Sequence, residues 1–128
     1  MNWQYIAGFF DGEGTVDKRV GSGGFCPQWE VVQQDERGRV LLLQIQEFLA
    51  KEGIPSTLGS RLQRTGKLLW RLHVCGRENF RLVATQLIPY CYIKKAELQD
   101  VLRFNTLFPS MNEGKVRAFI NRERGKTL

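Results

Sequence analysis

Residues 67–75, KLLWRLHVC, alternate without a break. Leu68, Trp70, Leu72 and Val74 fall on one side of an extended chain, and Lys67, Leu69, Arg71 and His73 on the other. A strand written this way buries one face and leaves the other to solvent, so helices can cover only one side of its sheet. Its partner is upstream. Thr57 to Arg64 reads as a strand turning at Thr65-Gly66, with Leu58, Ser60 and Leu62 opposing Gly59, Arg61 and Gln63. A second pair precedes these: Thr15 to Val20, ended by GSGG at 21–24, then Pro27 to Gln33 with Trp29 and Val31 on one face.

Helical spacing fills the intervals. Asn2 can cap a helix from about Trp3 to Asp11. Leu41, Ile45, Phe48 and Leu49 mark a helix over 36–52, closed by Gly53. Further helices are predicted over 78–88 (Phe80, Val83, Leu87), 93–107 and 111–122, the last with a Ser110/Glu113 capping box. Strand-strand-helix therefore occurs twice after an initial helix. With 128 residues, no long linker and no low-complexity stretch, this is one α+β domain spanning 1–128.

Charge narrows the partners. The formal net charge is +6, which favours a polyanion, nucleic acid ahead of a membrane surface. The open face of the sheet carries much of that charge, and two-stranded ribbons fit the major groove of DNA. Cys26, Cys75 and Cys91 have neither zinc nor disulfide spacing, and His73 is the one histidine, so the thiols read as reduced. No secretory signal or run of transmembrane length is evident. The expectation is an intracellular protein of cytoplasm, nucleoid or organelle, with no membrane partner.

The initial helix is written against its own propensities. In YIAGFFDGEG at 5–14, Gly8 and Gly12 each cost a helix about 0.5–1 kcal/mol. Asp11 and Glu13 crowd the negative end of the helix dipole. A helix end and turn would account for the Asp-Gly pair but not for the Gly-x-x-x-Gly spacing. That spacing strips one face of side chains, so a second helix can approach to backbone contact. If the second helix is the same one from another subunit, two copies of Glu13 meet near a two-fold axis. Clustered carboxylates repel unless a divalent cation lies between them, and oxygen donors suit Mg²⁺.

The nonapeptide IAGFFDGEG at 6–14 resembles the motif of the LAGLIDADG homing-endonuclease family, position by position. Ile6, Ala7 and Gly8 match L-A-G, Phe9 and Phe10 match L-I, and Asp11, Gly12, Glu13 and Gly14 match D-A-D-G. The element order extends the resemblance across most of the chain. It implies an αββαββα fold with a four-stranded antiparallel saddle. The motif helix would span about 2–12, the DNA-binding hairpins about 14–34 and 56–75, and the C-terminal helices about 93–122.

A single motif implies a homodimer on a long, near-palindromic DNA duplex, with Ala7, Gly8, Asp11 and Gly12 at the dimer interface. The resemblance assigns Glu13, with the backbone of Gly12, to a catalytic Mg²⁺. It assigns Gln33 to the attacking water, with Gln34 as the other register. Arg37 and Lys94, or Lys95 beside it, would offset charge at the scissile phosphate. Asp17, Arg19, Gln28, Glu30, Arg61, Gln63, Lys67, Leu69, Arg71 and His73 would face DNA, and Trp29, Val31, Trp70 and Leu72 the core. The basic run 122–126 reads as a solvated end. The implied activity is Mg²⁺-dependent double-strand cleavage leaving short 3′ overhangs, by an intron-encoded enzyme. The same fold also serves maturases that bind intron RNA and DNA-binding regulators that do not cleave.

Overall fold

The computed structural model describes residues 1–21, 24–107 and 122. Apart from Arg122, the predicted helix over 111–122, its Ser110/Glu113 cap and the basic run lie outside the described residues. The elements are α1 (Trp3–Glu13), β1 (Gly14–Gly21), β2 (Gly24–Gln34), α2 (Asp35–Lys51), β3 (Thr57–Leu62), β4 (Leu68–Cys75), α3 (Arg77–Leu87) and α4 (Lys95–Leu107). The four strands form one antiparallel sheet in the order β1-β2-β4-β3.

Period-two patterning settles which face is covered. Phe25, Trp29, Val31, Leu72 and Val74 are buried on the inner face. They meet Ile6, Ala7 and Phe10 of α1, Leu42, Ile45 and Leu49 of α2, and Phe80, Val83, Ala84 and Leu87 of α3. Leu98, Val101 and Phe104 of α4 complete this core. Helix α2 is rotated slightly from expectation: Leu42 is fully buried, whereas Leu41 and Phe48 are partly covered. Trp70 is likewise partly covered, with the Arg39 guanidinium over its ring at 5.7 Å.

Local signals terminate the elements where the chemistry requires it. The Asn2 Oδ1 accepts the Tyr5 N–H at 2.8 Å and caps α1. Gly66, at φ 85°, turns the β3–β4 hairpin, and Gly53, at φ 80°, follows the end of α2. Asp35 adopts φ 61°, and its Oδ1 accepts the Gly38 N–H at 3.1 Å, so β2 passes into α2 without a loop. Lys18 points to the helical side of the sheet, against its charge, because Asp100 of α4 receives it at 2.5 Å.

Helix α1 runs on to Glu13, two residues past Asp11, and passes directly into β1. The junction requires glycine. A Cβ at Gly14 would lie 1.9 Å from Cδ2 of Phe10, whose ring is stacked on Trp29. Gly14→Ala should therefore destabilise the chain by about 1–3 kcal/mol through overpacking. Urea unfolding measures this, and an unchanged midpoint would show that the junction can relax.

Candidate active site and nucleic-acid interface

Packing divides α1 into two faces. Ile6, Ala7 and Phe10 are fully buried, Gly8 and Gly12 are exposed on the opposite face, and Glu13 is exposed at the end of the helix. A Cβ built at Gly8 or at Gly12 would meet no atom of the described residues within 4 Å. Packing among the described residues thus gives no reason for either glycine, unlike Gly14. Ala7 corrects the expectation that it lies on the interface, because as Phe10's companion on the inner face it belongs to the core.

Asp11 takes a different part from its neighbours. Its Oδ2 accepts the Tyr92 N–H at 2.8 Å, and its Oδ1 accepts those of Ile93 and Lys94 at 3.1 and 2.9 Å. An acid that opposes its own helix dipole is thereby satisfied by the turn leading into α4. This turn also explains why α4 begins at Lys95 rather than at 93. Partial desolvation raises the Asp11 pKa, but the hydrogen bonds from Tyr92, Lys94, Cys91 and Ile93 outweigh it and leave it lowered. Burial, then the charge of Asp11, pushes the Cys91 thiol up to about 12, so it stays protonated. Asp11 therefore also serves its own chain, at the position expected at the interface.

Glu13 meets the end of β2. Glu13, Val32, Gln33, Gln34, Asp35 and Leu69 line an open depression of about 290 Å³. Gln33 lies in register on the inner face, and its Cβ would be 2.5 Å from any Cβ at Gly38, so its stem is tightly held. Gln34 points to the open face, where its Nε2 donates to Gln63 Oε1 at 3.4 Å. Both glutamines line the depression. Arg37, in the first turn of α2, and Lys95, opening α4, are exposed and do not line it; Lys94 is tied to Asp11 through its backbone.

The open face holds a second depression of about 450 Å³, lined by Glu30, Val32, Gly59, Ser60, Arg61, Leu69 and Arg71. Arg71 Nε donates to Glu30 Oε1 at 2.9 Å. Val32 and Gly59 belong to this surface but were not among the expected DNA-facing residues, although alternation places them beside Glu30 and Arg61. Gln28 corrects that expectation: it shares the face but is 4% exposed, flanked in register by Asp17 and Cys75. Arg19 lies on β1, with its side chain outside the described residues. Lys67 and Gln63 stand at the hairpin, where Gln63 N–H donates to the Lys67 carbonyl at 2.9 Å.

A family profile for the LAGLIDADG-like domain matches residues 2–87, from the Asn2 cap to the end of α3. The chain belongs to the LAGLIDADG family. Its sheet and helices have the LAGLIDADG homing-endonuclease fold. One similar structure is the homing endonuclease I-CvuI in complex with the I-CreI target, with 2 mM Mg and uncleaved DNA. It gives a TM-score of 0.69 at 21% identity, over 89% of this chain and 71% of that one. I-CvuI with its own target in 2 mM Ca gives 0.67 at 22% identity, over 84% and 68%. The meganuclease I-AabMI bound to uncleaved DNA gives 0.61 at 18% identity, over 85% of this chain but 38% of that one. A search of curated protein sequences gave no match.

The LAGLIDADG motif thus contains one acid used inside the fold and one left outside it. The lowered Asp11 pKa makes its ionised form stabilising above the ordinary carboxylate range, and that contribution is lost as pH falls through the folded-state value. Asp11→Asn should cost about 1 kcal/mol at neutral pH, the low end for charged hydrogen bonds because the site is part-exposed. Its stability should also fall less steeply on acidification than the wild type's. Parallel urea-midpoint curves would remove Asp11 from the pH response.

Proposed function

We propose that this chain is a site-specific DNA endonuclease that works as a homodimer. The observation that carries the reading is the exposed Glu13, beside Gln33 and Gln34, at the end of a helix whose Gly8 and Gly12 surface is open. Among the described residues no group of three or more His, Cys, Asp or Glu gathers to hold a metal. A carboxylate with amide oxygens beside it is nonetheless a hard-oxygen donor set, suited to Mg²⁺, of which one chain supplies half. A second copy packed along the bare glycine face of α1 brings the other Glu13. Exposed Tyr5, at 50%, lies on the same helix and adds apolar area to that contact.

When bound, the cation would polarise the scissile phosphate and lower the pKa of an attacking water. Glu13 would hold it, with the Gly12 backbone alongside. Gln33 or Gln34 orients the water through its amide. Lys94 or Lys95 and Arg37 offset charge that develops on the phosphate and on the leaving oxygen. The open face of the sheet, with Arg61, Lys67 and Arg71, lies along the duplex. The formal +6 of each chain makes affinity fall steeply as salt rises. The family resemblance supports short 3′ overhangs as the product.

Glu13→Gln keeps the shape and removes the charge. Duplex binding should persist, and cleavage in Mg²⁺ should drop at least about a hundredfold, the scale for removing one preorganised charge. Full cleavage by this variant, or by the wild type in excess chelator, is incompatible with the proposal. Binding without cleavage by the wild type in Mg²⁺ would class the chain with the non-cleaving regulators.

The dimer is tested separately. A Cβ at Gly8 meets no described atom within 4 Å, so Gly8→Leu should fold, yet sediment as a monomer where the wild type sediments as a dimer. A wild type that is monomeric on target DNA would overturn the shared site.

A further inference from the structure

Three features of the open face converge on Arg71. In register it is flanked by Val32 on β2 and by Gly59 on β3, so neither neighbour offers a competing polar group. Its Nε is held by Glu30 Oε1 at 2.9 Å, which restrains the side chain and leaves donors on the two terminal nitrogens. Gly59 has no reason internal to the fold. Its φ is not positive, and a Cβ there would meet no atom of the described residues within 4 Å. Glycine inside a strand weakens it, and one that packing does not require marks a place where a ligand comes close to the backbone.

The charge arithmetic selects the ligand group. Arg71 with Glu30 is a net-neutral pair, so a phosphate gains little by approaching it and meets a carboxylate. Arg61, two residues on from Gly59 along the same face, has no acid partner among the described residues and suits a phosphate. A base edge carries no net charge. A guanidinium fork held in place matches the paired acceptors O6 and N7 of guanine, which only the major groove displays together.

We propose that Arg71, braced by Glu30 and bared by Gly59, reads a guanine in the major groove of each half-site. This rests on the duplex-binding reading above and names one contact within it. Gly59 lets the base edge descend to the sheet, and Glu30 limits the rotamers of Arg71. Bracing sharpens discrimination because less rotamer freedom is lost on contact.

The test is selection of a randomised duplex library in EDTA, with the bound fraction sequenced. The wild type should enrich a half-site with guanine at one defined position. Arg71→Gln should convert that position from guanine to adenine by about tenfold or more, since glutamine pairs with adenine, with other positions unchanged. Glu30→Gln should keep guanine but relax the preference. Gly59→Val should fold with an unchanged or higher Tm and bind the selected site about tenfold more weakly. Should Arg71→Gln fold poorly, Arg71→Ala removes the donors altogether and should lose the guanine preference at that position alone. The same enriched sequence from the Arg71 variants and the wild type overturns the assignment, as does wild-type affinity in Gly59→Val. Enrichment of no sequence by the wild type overturns both this contact and the duplex reading.

Discussion

The Phe10 ring lies stacked on Trp29, centroids 5.2 Å apart and planes 25° from parallel, and most of the site's geometry follows from that contact. Both side chains are fully buried, so the pair joins aromatic packing to removal of large apolar surface from water. It pins the motif helix to the inner face of β2 and forces glycine at position 14. Helical geometry does the rest. With Ile6, Ala7 and Phe10 turned inward, Gly8 and Gly12 have only the outside left, whereas Glu13, on the side of Ile6 and Phe10, is exposed as the last residue of the helix. The bare surface follows from that anchoring, and the exposed carboxylate from the helix ending at Glu13.

The two acids of the motif show how electrostatics divides labour at a helix terminus. Both oppose the dipole. Asp11 escapes the penalty by accepting three backbone N–H groups from the turn before α4, which also ties that turn to α1. The Glu13 carboxylate makes no hydrogen bond among the described residues and stands at the edge of a depression shared with Gln33 and Gln34. An acid kept where its own fold gives it nothing is a local conflict of the kind that functional sites retain. Asp11 is consistent with structure alone, and Glu13 is not.

The sheet shows a similar contrast between faces. The inner face is largely apolar, and its polar members include Gln33 at the end of β2 and Lys18, which reaches Asp100 and the Phe104 ring. The outer face keeps charges, but not as a uniform cationic surface. Arg71 is paired with Glu30, Gln34 with Gln63, and Gln28 is covered. Such a surface suits recognition of differing chemical groups along a groove better than indifferent attraction to a polyanion.

Much of this was legible from local periodicity. Alternation in KLLWRLHVC and the spacing of Phe80, Val83 and Leu87 foretold the inner face, and IAGFFDGEG foretold the family. Those signals are local: a strand repeats every two residues and a helix every 3.6, so neighbours along the chain already state which way a side chain turns. Helix propensity, read along the chain, already left Gly8 and Gly12 in need of another explanation. That Ala7 packs inward, that Gln28 is covered and that Asp11 caps a turn some eighty residues away emerges from the folded chain alone. Folding also placed Glu13 beside Gln33 and Gln34, and Glu30 against Arg71. Such pairings depend on which surfaces meet when the whole chain closes, and no periodicity along one segment records the element that will lie against it.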